Sequence, residues 1–324
     1  MNANMTARNS SESSPPGNPF FSPLPHSFNH LLAGSLSALF TTSLLHPLDV
    51  IKVRFQANEQ SIKWRSPEGS INSSKTTFGA IYRLARTEGA RSLYLGLTPA
   101  VLANAGSWGL YFYFYEELKP LIGKNLPGTP GILISGILAG MSTTLFMNPI
   151  WLIKTRMQLE NSIQNRKYRN LIRSVSSIIA EEGFKGLYRG IIPAFVLTTH
   201  GAVQFAIYEE LKHLNQIRRG DGKTAETQEF FVMGGISKLI ASIVTYPFQV
   251  VKTRMQKETK IHAHYQRMLS TIQIILKNEG LFGFYKGLGA NLWRVAPQSA
   301  ILLSTYENIM MLLVNHRLHE NTQH

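Results

Sequence analysis

The sequence predicts an all-α membrane protein: six membrane-spanning helices in three tandem pairs, each pair enclosing a short helix. Three observations predict it. One ten-residue string recurs three times at intervals of about 100 residues. Two apolar stretches of about 20 residues accompany each copy, long enough to cross a hydrocarbon core of roughly 30 Å. The 324 residues are 44% hydrophobic and only 16% charged, against roughly 25% charged in soluble proteins. A mean hydropathy of −0.05 argues against uniformly greasy spans, so the apolar segments must be moderate and interrupted. Cysteine is absent, which removes disulfide frameworks, thiolate zinc sites, iron–sulfur clusters and thiol nucleophiles. With 33 Lys plus Arg against 19 Asp plus Glu, the net charge of +14 calls for an anionic partner: nucleic acid, lipid headgroups or a phosphorylated metabolite.

The elements follow in order. Residues 1–27, rich in Ser, Asn and Pro, read as a disordered tail. Arg8 is the only basic residue there and no apolar core follows it. Neither a secretory signal nor an Arg-rich transit peptide is expected, so any organelle address is internal. Repeats are expected at 28–125, 126–222 and 223–315, with a short tail at 316–324. Each repeat opens on a small-residue-rich apolar stretch, at about 30–46, 131–148 and 230–246. Gly136 and Gly140 form a GxxxG, and Gly34 with Ala38 its near-copy. Such spacing lets helices approach closely in lipid.

The shared string ends that stretch: Pro47-Leu48-Asp49-Val50-Ile51-Lys52-Val53-Arg54-Phe55-Gln56, Pro149-Ile150-Trp151-Leu152-Ile153-Lys154-Thr155-Arg156-Met157-Gln158 and Pro247-Phe248-Gln249-Val250-Val251-Lys252-Thr253-Arg254-Met255-Gln256. Amphipathic segments such as 168–182 and 265–278 predict short helices closing at Glu88-Gly89, Glu182-Gly183 and Glu279-Gly280. Tyr94-Leu95-Gly96, Tyr188-Arg189-Gly190 and Tyr285-Lys286-Gly287 then lead into the second spans, at about 97–118, 191–211 and 288–313. These close on Tyr115-Glu116 with Lys119, Tyr208-Glu209 with Lys212, and Tyr306-Glu307.

Basic residues gather in the long loops inside each repeat, as Lys63, Arg65, Lys75, Arg83, Arg86 and Arg91 and as Arg166, Lys167, Arg169, Arg173, Lys185 and Arg189. That bias turns the long loops toward the positive-inside compartment, with both termini beside the short loops on the other side. Proline at the end of a span kinks the helix. Asp49, Lys52 and Gln56 share one face of the continuing helix. Three kinked helices bring three such faces together, where an ionisable group needs a partner on another helix. The plainer reading is lysine snorkelling, which leaves the fixed offset from proline unexplained.

The three Pro-led strings over residues 28–315 resemble the signature of the mitochondrial carrier family, P-x-[DE]-x-x-[KR]-x-[KR] in three copies, which the Pro47 string matches in full. The resemblance implies six helices in threefold pseudo-symmetry with three short matrix helices, a central cavity, and alternating access across the inner mitochondrial membrane. It implies a matrix gate at the Pro-led strings and a cytoplasmic gate at Glu116, Lys119, Glu209, Lys212 and Glu307. Gln56, Gln158 and Gln256 resemble the family's glutamine braces, and Tyr115, Tyr208 and Tyr306 its tyrosine braces. Both termini would face the intermembrane space. The chain would work as a monomer in the bilayer, with cardiolipin among its lipids, no nucleic acid and no permanently bound cofactor.

Departures from the family pattern matter. Carried over helix by helix, the matrix gate pairs Asp49 with Lys154, but Trp151 and Gln249 stand at the other two acidic positions. Lys252 is then expected to face Trp151 in a cation–π contact worth on the order of 0.5–2 kcal/mol, and Lys52 to face Gln249. A lipid-interface anchor is the other use of Trp151. At the cytoplasmic gate Glu116 should pair with Lys212 and Glu307 with Lys119, while Met310 leaves Glu209 without a partner.

The family's contact position, seven residues after the Tyr-x-Gly glycine, holds Arg294 on the sixth span, and Ala103 with Asn104 and Leu197 with Thr198 on the second and fourth. Arginine's planar fork suits phosphate or carboxylate; its plainer use is bonding backbone carbonyls. Lys238 replaces a small residue inside a span, a cost of roughly 2.5–3.5 kcal/mol that points to function rather than snorkelling. Two cations at similar depth suit a substrate with two anionic groups or a pyrophosphate. Gly106 and Gly201 leave room, and Trp108, Tyr111 and Tyr113 either stack on a flat ring or simply pack.

Pro149-Ile150-Trp151 resembles carriers of nucleotide-type cofactors: FAD, folate, NAD, coenzyme A relatives and pyrimidine nucleotides. Gly106–Phe112, Thr199–Phe205 and Tyr246–Val251 look most like the FAD/folate branch. FAD is the expected substrate, folate the alternative, with NAD or a pyrimidine nucleotide beyond. An enzyme is not expected, because His200 has no acidic neighbour and no phosphate loop follows a strand. A non-transporting adaptor of the same fold would have shed its cavity charges, yet Arg294 and Lys238 remain.

Overall fold

The computed structural model describes residues 26–58, 76–160, 168, 170–219, 227–257 and 267–322. The expected N-terminal tail up to residue 25, and Lys63, Arg65, Lys75, Arg166, Lys167 and Arg169, lie outside the described residues. The described chain is all-α, in chain order α1 (His26–Ala57), α2 (Thr77–Glu88), α3 (Leu97–Gly123), α4 (Thr129–Leu159), α5 (Leu171–Glu182), α6 (Ile191–Leu197), α7 (His200–Arg219), α8 (Thr227–Gln256), α9 (Met268–Glu279) and α10 (Leu288–Thr322). Among the described residues three segments are long and apolar enough to cross a membrane by length and composition: Thr129–Leu159, Phe184–Ile217 and Glu229–Gln256. With 32, 27 and 35 residues, α1, α3 and α10 have the length, and polar or aromatic residues dilute their hydropathy. Leu36, Phe40 and Leu44 lie one turn apart on α1 and stay exposed, as a lipid-facing stripe would.

The long helices close into a ring in the order α1, α3, α4, α6 with α7, α8 and α10, back to α1. At their Pro-led ends α1, α4 and α8 also meet one another across the middle. Pro47, Pro149 and Pro247 sit inside these three helices. Each Pro-led segment then buries its apolar face against its own repeat's short helix. Val50 and Ile51 pack on Ala80 and Leu84, Leu152 and Ile153 on Ile178, and Val250 and Val251 on Ile275. Three separate cores result, one beneath each Pro-led segment, closed by α2, α5 and α9, and the first also takes in Ala290 of α10.

Two elements differ from the reading of the sequence. The fourth span, expected as one helix over 191–211, breaks at Thr198 and Thr199. Their hydroxyls donate to Phe195 O and Val196 O, each at 2.7 Å, and their amides follow the same tight i−3 pattern at 3.1 Å. Threonine side chains thus take the carbonyls that a continuing α-helix would have used. At the other end, the expected tail over 316–324 is largely helical, since α10 continues to Thr322.

The GxxxG spacing also does something narrower than expected. A Cβ on Gly136 would meet Tyr111 OH at 3.2 Å and one on Gly140 would meet Thr198 Cβ at 3.1 Å, so the two glycines seat side chains of different helices. Gly34 has open space around it.

Candidate functional site

The site grows from the three Pro-led helix ends. Asp49 on α1 meets Lys154 on α4, Oδ2 to Nζ 2.6 Å. Lys52 on α1 donates to Gln249 Oε1 on α8 at 2.9 Å. Lys252 on α8 lies 5.9 Å from the centre of the Trp151 ring on α4, and Lys154 lies closer, at 4.9 Å. Trp151 therefore serves two lysines, and its Nε1 donates to Ser107 on α3 at 3.3 Å. These contacts turn the indole into the bundle, away from a lipid-anchoring role.

The glutamines cross between helices in one rotational sense. Gln56 accepts from Thr253 on α8 and Gln256 from Thr155 on α4, each at 2.8 Å. Val53 stands where the third threonine would be, so Gln158 instead donates to Asp49 Oδ2 at 3.0 Å. Its Oε1 is left buried without a partner.

A second ring lies just beyond and was not foreseen. Arg54, Arg156 and Arg254 bond the glutamates of the Glu-Gly strings: Arg54 to Glu88 and Arg156 to Glu182, each at 2.6 Å, and Arg254 to Glu279 at 2.5 Å. Each arginine Nε also donates across to the next Pro-led helix, to Gln158 O, Gln256 O and Gln56 O respectively, at 3.0–3.1 Å. Threefold recurrence of both the Arg and the Glu-Gly was the available signal. What was missing is that each short helix folds back beneath its own proline. The residue before each proline pins that fold: His46 Nε2, Asn148 Nδ2 and Tyr246 OH donate to Leu95 O, Leu187 O and Lys286 O at 2.8–3.0 Å.

The Tyr-x-Gly glycines lock neighbouring repeats. Gly96, Gly190 and Gly287 have φ of +77°, +73° and +80°, which glycine adopts freely. A Cβ there would lie 3.0–3.2 Å from the backbone oxygens of Lys154, Lys252 and Lys52. Each glycine thus lets one repeat touch the next at its lysine.

The opposite end is not latched. Among the described residues neither Glu116–Lys212 nor Glu307–Lys119 forms. Lys212 instead sits 3.8 Å from Glu209 on its own helix, both largely exposed. Lys119 covers the Tyr115 ring at 5.7 Å, and Tyr115 stacks on Tyr111 at 6.0 Å. Tyr208 and Tyr306 precede Glu209 and Glu307 on α7 and α10.

Between the two ends, Arg294 bonds no backbone carbonyl among the described residues. Its Nη1 donates to Gln298 at 3.3 Å and its Nε lies 3.8 Å from Asp49 Oδ1. Lys238 donates to Ser299 on α10 at 3.0 Å, and the Nδ1 of His200 lies 3.0 Å from the Thr245 hydroxyl. Asn104 and Leu197 are half-buried. Ala103, by contrast, is completely buried, with no surface to offer a ligand. Thr198 has spent its hydroxyl on the helix break and turns its methyl to Gly140. Gly106 makes room for Met147 rather than for a ligand, since a Cβ would meet Met147 Cε at 2.6 Å. Around Gly201 the space is open.

Six spans around an interior latched at one end, with cations held inside, define a membrane transporter rather than an enzyme. The family model for mitochondrial carrier proteins matches residues 25–126, 128–218 and 223–317. A chloroplastic folate transporter of Arabidopsis thaliana is 38% identical over 88% of this chain and 95% of its own. A mitochondrial nicotinamide adenine dinucleotide transporter of Saccharomyces cerevisiae is 34% identical, over 88% and 77%. A mitochondrial pyrimidine nucleotide transporter of the same yeast is 31% identical, over 88% and 85%. The chain belongs to the mitochondrial carrier family.

Proposed function

We propose that this carrier moves a large anionic cofactor, FAD first and folate second, across the inner mitochondrial membrane by alternating access. One observation carries the reading: Arg294 is held inside the bundle with a neutral amide and a shared carboxylate as its only partners among the described residues. An arginine placed so is free to take a phosphate or carboxylate. Lys238 supplies a second cation on the neighbouring span, and Asn104 and Leu197 line the approach. The likeness to a folate transporter favours folate as the second candidate. Relatives named for chloroplasts as well as mitochondria share the fold, so the inner-membrane address, with both termini toward the intermembrane space, is part of the proposal.

Asp49, Lys52, Trp151, Lys154, Gln249 and Lys252, braced by the three glutamines, act as the matrix gate. Glu116, Lys119, Glu209, Lys212 and Glu307 act as the cytoplasmic gate, with Tyr115, Tyr208 and Tyr306 beside them. One ion pair and two neutral contacts make a matrix gate of moderate strength, which suits a latch that must open every cycle. Uptake of labelled FAD, folate, NAD and CTP into liposomes tests the substrate. FAD or folate uptake that Arg294→Ala abolishes, in protein that still folds, is the expected result. Transport of CTP alone overturns the assignment, and unaltered kinetics in Arg294→Ala overturn the contact.

A further inference from the structure

Inside the ring of arginine–glutamate pairs, Lys52, Lys154, Lys252 and Arg294 gather around a single carboxylate among the described residues, Asp49. Lys154 holds Asp49 at 2.6 Å, and Arg294 stands 3.8 Å from that same carboxylate. Among the described residues Lys52, 9% exposed, donates only to the neutral amide of Gln249. Lys252 has neither a hydrogen bond nor an ion pair among the described residues, and it lies over the Trp151 ring at 5.9 Å. The Nε of Arg294 is buried without a hydrogen-bond partner. Lys52 lies within reach of the charges of Arg294, Asp49, Lys154 and Lys252.

The imbalance has a sequence cause, because Trp151 and Gln249 stand where threefold repetition of Asp49 would place acids. A cation that has lost its water and gained only neutral partners retains a strong demand for an anion. The cluster is not sealed: the side chains of Lys154, Asp49 and Arg294 keep 13%, 16% and 25% of their surface accessible.

We propose that Lys52, Lys252 and Arg294 form a floor site for a phosphate or carboxylate oxyanion, one level below Lys238. The transported molecule's own anionic group fills it and supplies the counter-charge that the gate lacks. That identity of the anion rests on the transport reading above; the site itself does not. Arg294 then joins an upper cation, Lys238, to the lower pair, so a ligand with two linked anionic groups spans both levels.

The experiment uses the purified full chain in detergent at constant ionic strength, with inorganic pyrophosphate as probe and intrinsic tryptophan fluorescence to follow thermal unfolding. Pyrophosphate should raise the melting temperature in a saturable way. Lys252→Met should weaken half-saturation at least tenfold. Gln249→Glu, which gives Lys52 an internal carboxylate while removing no cation, should do the same, and Lys124→Gln, on an exposed helix end, should change nothing. Absence of a response, or equal half-saturation in every variant, overturns the site. A pyrophosphate response without uptake of FAD or folate upholds the site and sinks the substrate assignment. FAD uptake with half-saturation unchanged in Gln249→Glu and Lys252→Met sinks the site and leaves the transport reading standing.

Discussion

Replacing Glu279 by Gln probes the buried ring that ties the repeats together. Arg254 Nη1 and Nη2 reach the two Glu279 oxygens at 2.5 and 2.7 Å, and Lys286 approaches at 2.6 Å. The two partners are 0% and 1% exposed. Glutamine keeps the shape and one acceptor oxygen but drops the charge, which leaves the Arg254 cation buried against neutral acceptors, the new amide and the carbonyls of Gln56 and Asn58. Removing one partner of a buried pair costs on the order of 3–5 kcal/mol. At roughly 2–4 °C per kcal/mol, the melting temperature should fall by about 6–20 °C, read by intrinsic tryptophan fluorescence in detergent. The same change at Glu182 and Glu88, 7% and 17% exposed, should cost progressively less, because water reaches the orphaned arginine. A fall below about 2 °C at Glu279, or a reversed order among the three, refutes the reasoning.

Three further outcomes are expected. Gly287→Ala places a Cβ 3.0 Å from Lys52 O at φ +80°, a strain of about 1–2 kcal/mol before any clash. It should lower both melting temperature and uptake, whereas Gly289→Ala, with its nearest neighbour at 3.9 Å, should not. Val53→Thr offers the orphaned Gln158 Oε1 the hydroxyl that Thr155 and Thr253 give the other two glutamines. It should stabilise the latched state by about 0.5–1.5 kcal/mol and slow uptake, and an unchanged melting temperature counts against that account of the brace. Trp151→Phe keeps a ring for Lys154 and Lys252 and loses only the Ser107 bond, so it should melt nearer the native protein than Trp151→Leu. Equal losses would deny the ring any role.

Much of the architecture was legible because repetition multiplies evidence. Pro47, Pro149 and Pro247 at equal offsets from a lysine and a glutamine left one plausible arrangement, and the all-α carrier fold is what the chain adopts. Local rules also held for the short helices, whose amphipathic faces and Glu-Gly ends marked α2, α5 and α9. They failed at Thr198 and Thr199. Hydropathy cannot register a side chain that competes with its own backbone, and two threonines inside an apolar run read as helix. They failed again at Gly106, where a missing side chain was read as space for a ligand when a neighbouring methionine had already filled it.

From order and spacing alone came the number of spans, their pairing into repeats, and the residues that one helix face presents, since each depends only on a fixed 3.6-residue period and on chemistry local to the chain. Which helix each side chain reaches was decided elsewhere. Arg254 bonds Glu279 and Gln56 O because α9 folds under α8 while the end of α1 arrives from 198 residues away. Val53, an ordinary apolar residue in the string, redirects Gln158 to Asp49 only once the ring has closed. Partners of that kind are set by three-dimensional closure, because a hydrogen bond needs its acceptor within about 3 Å, and no local rule records that distance.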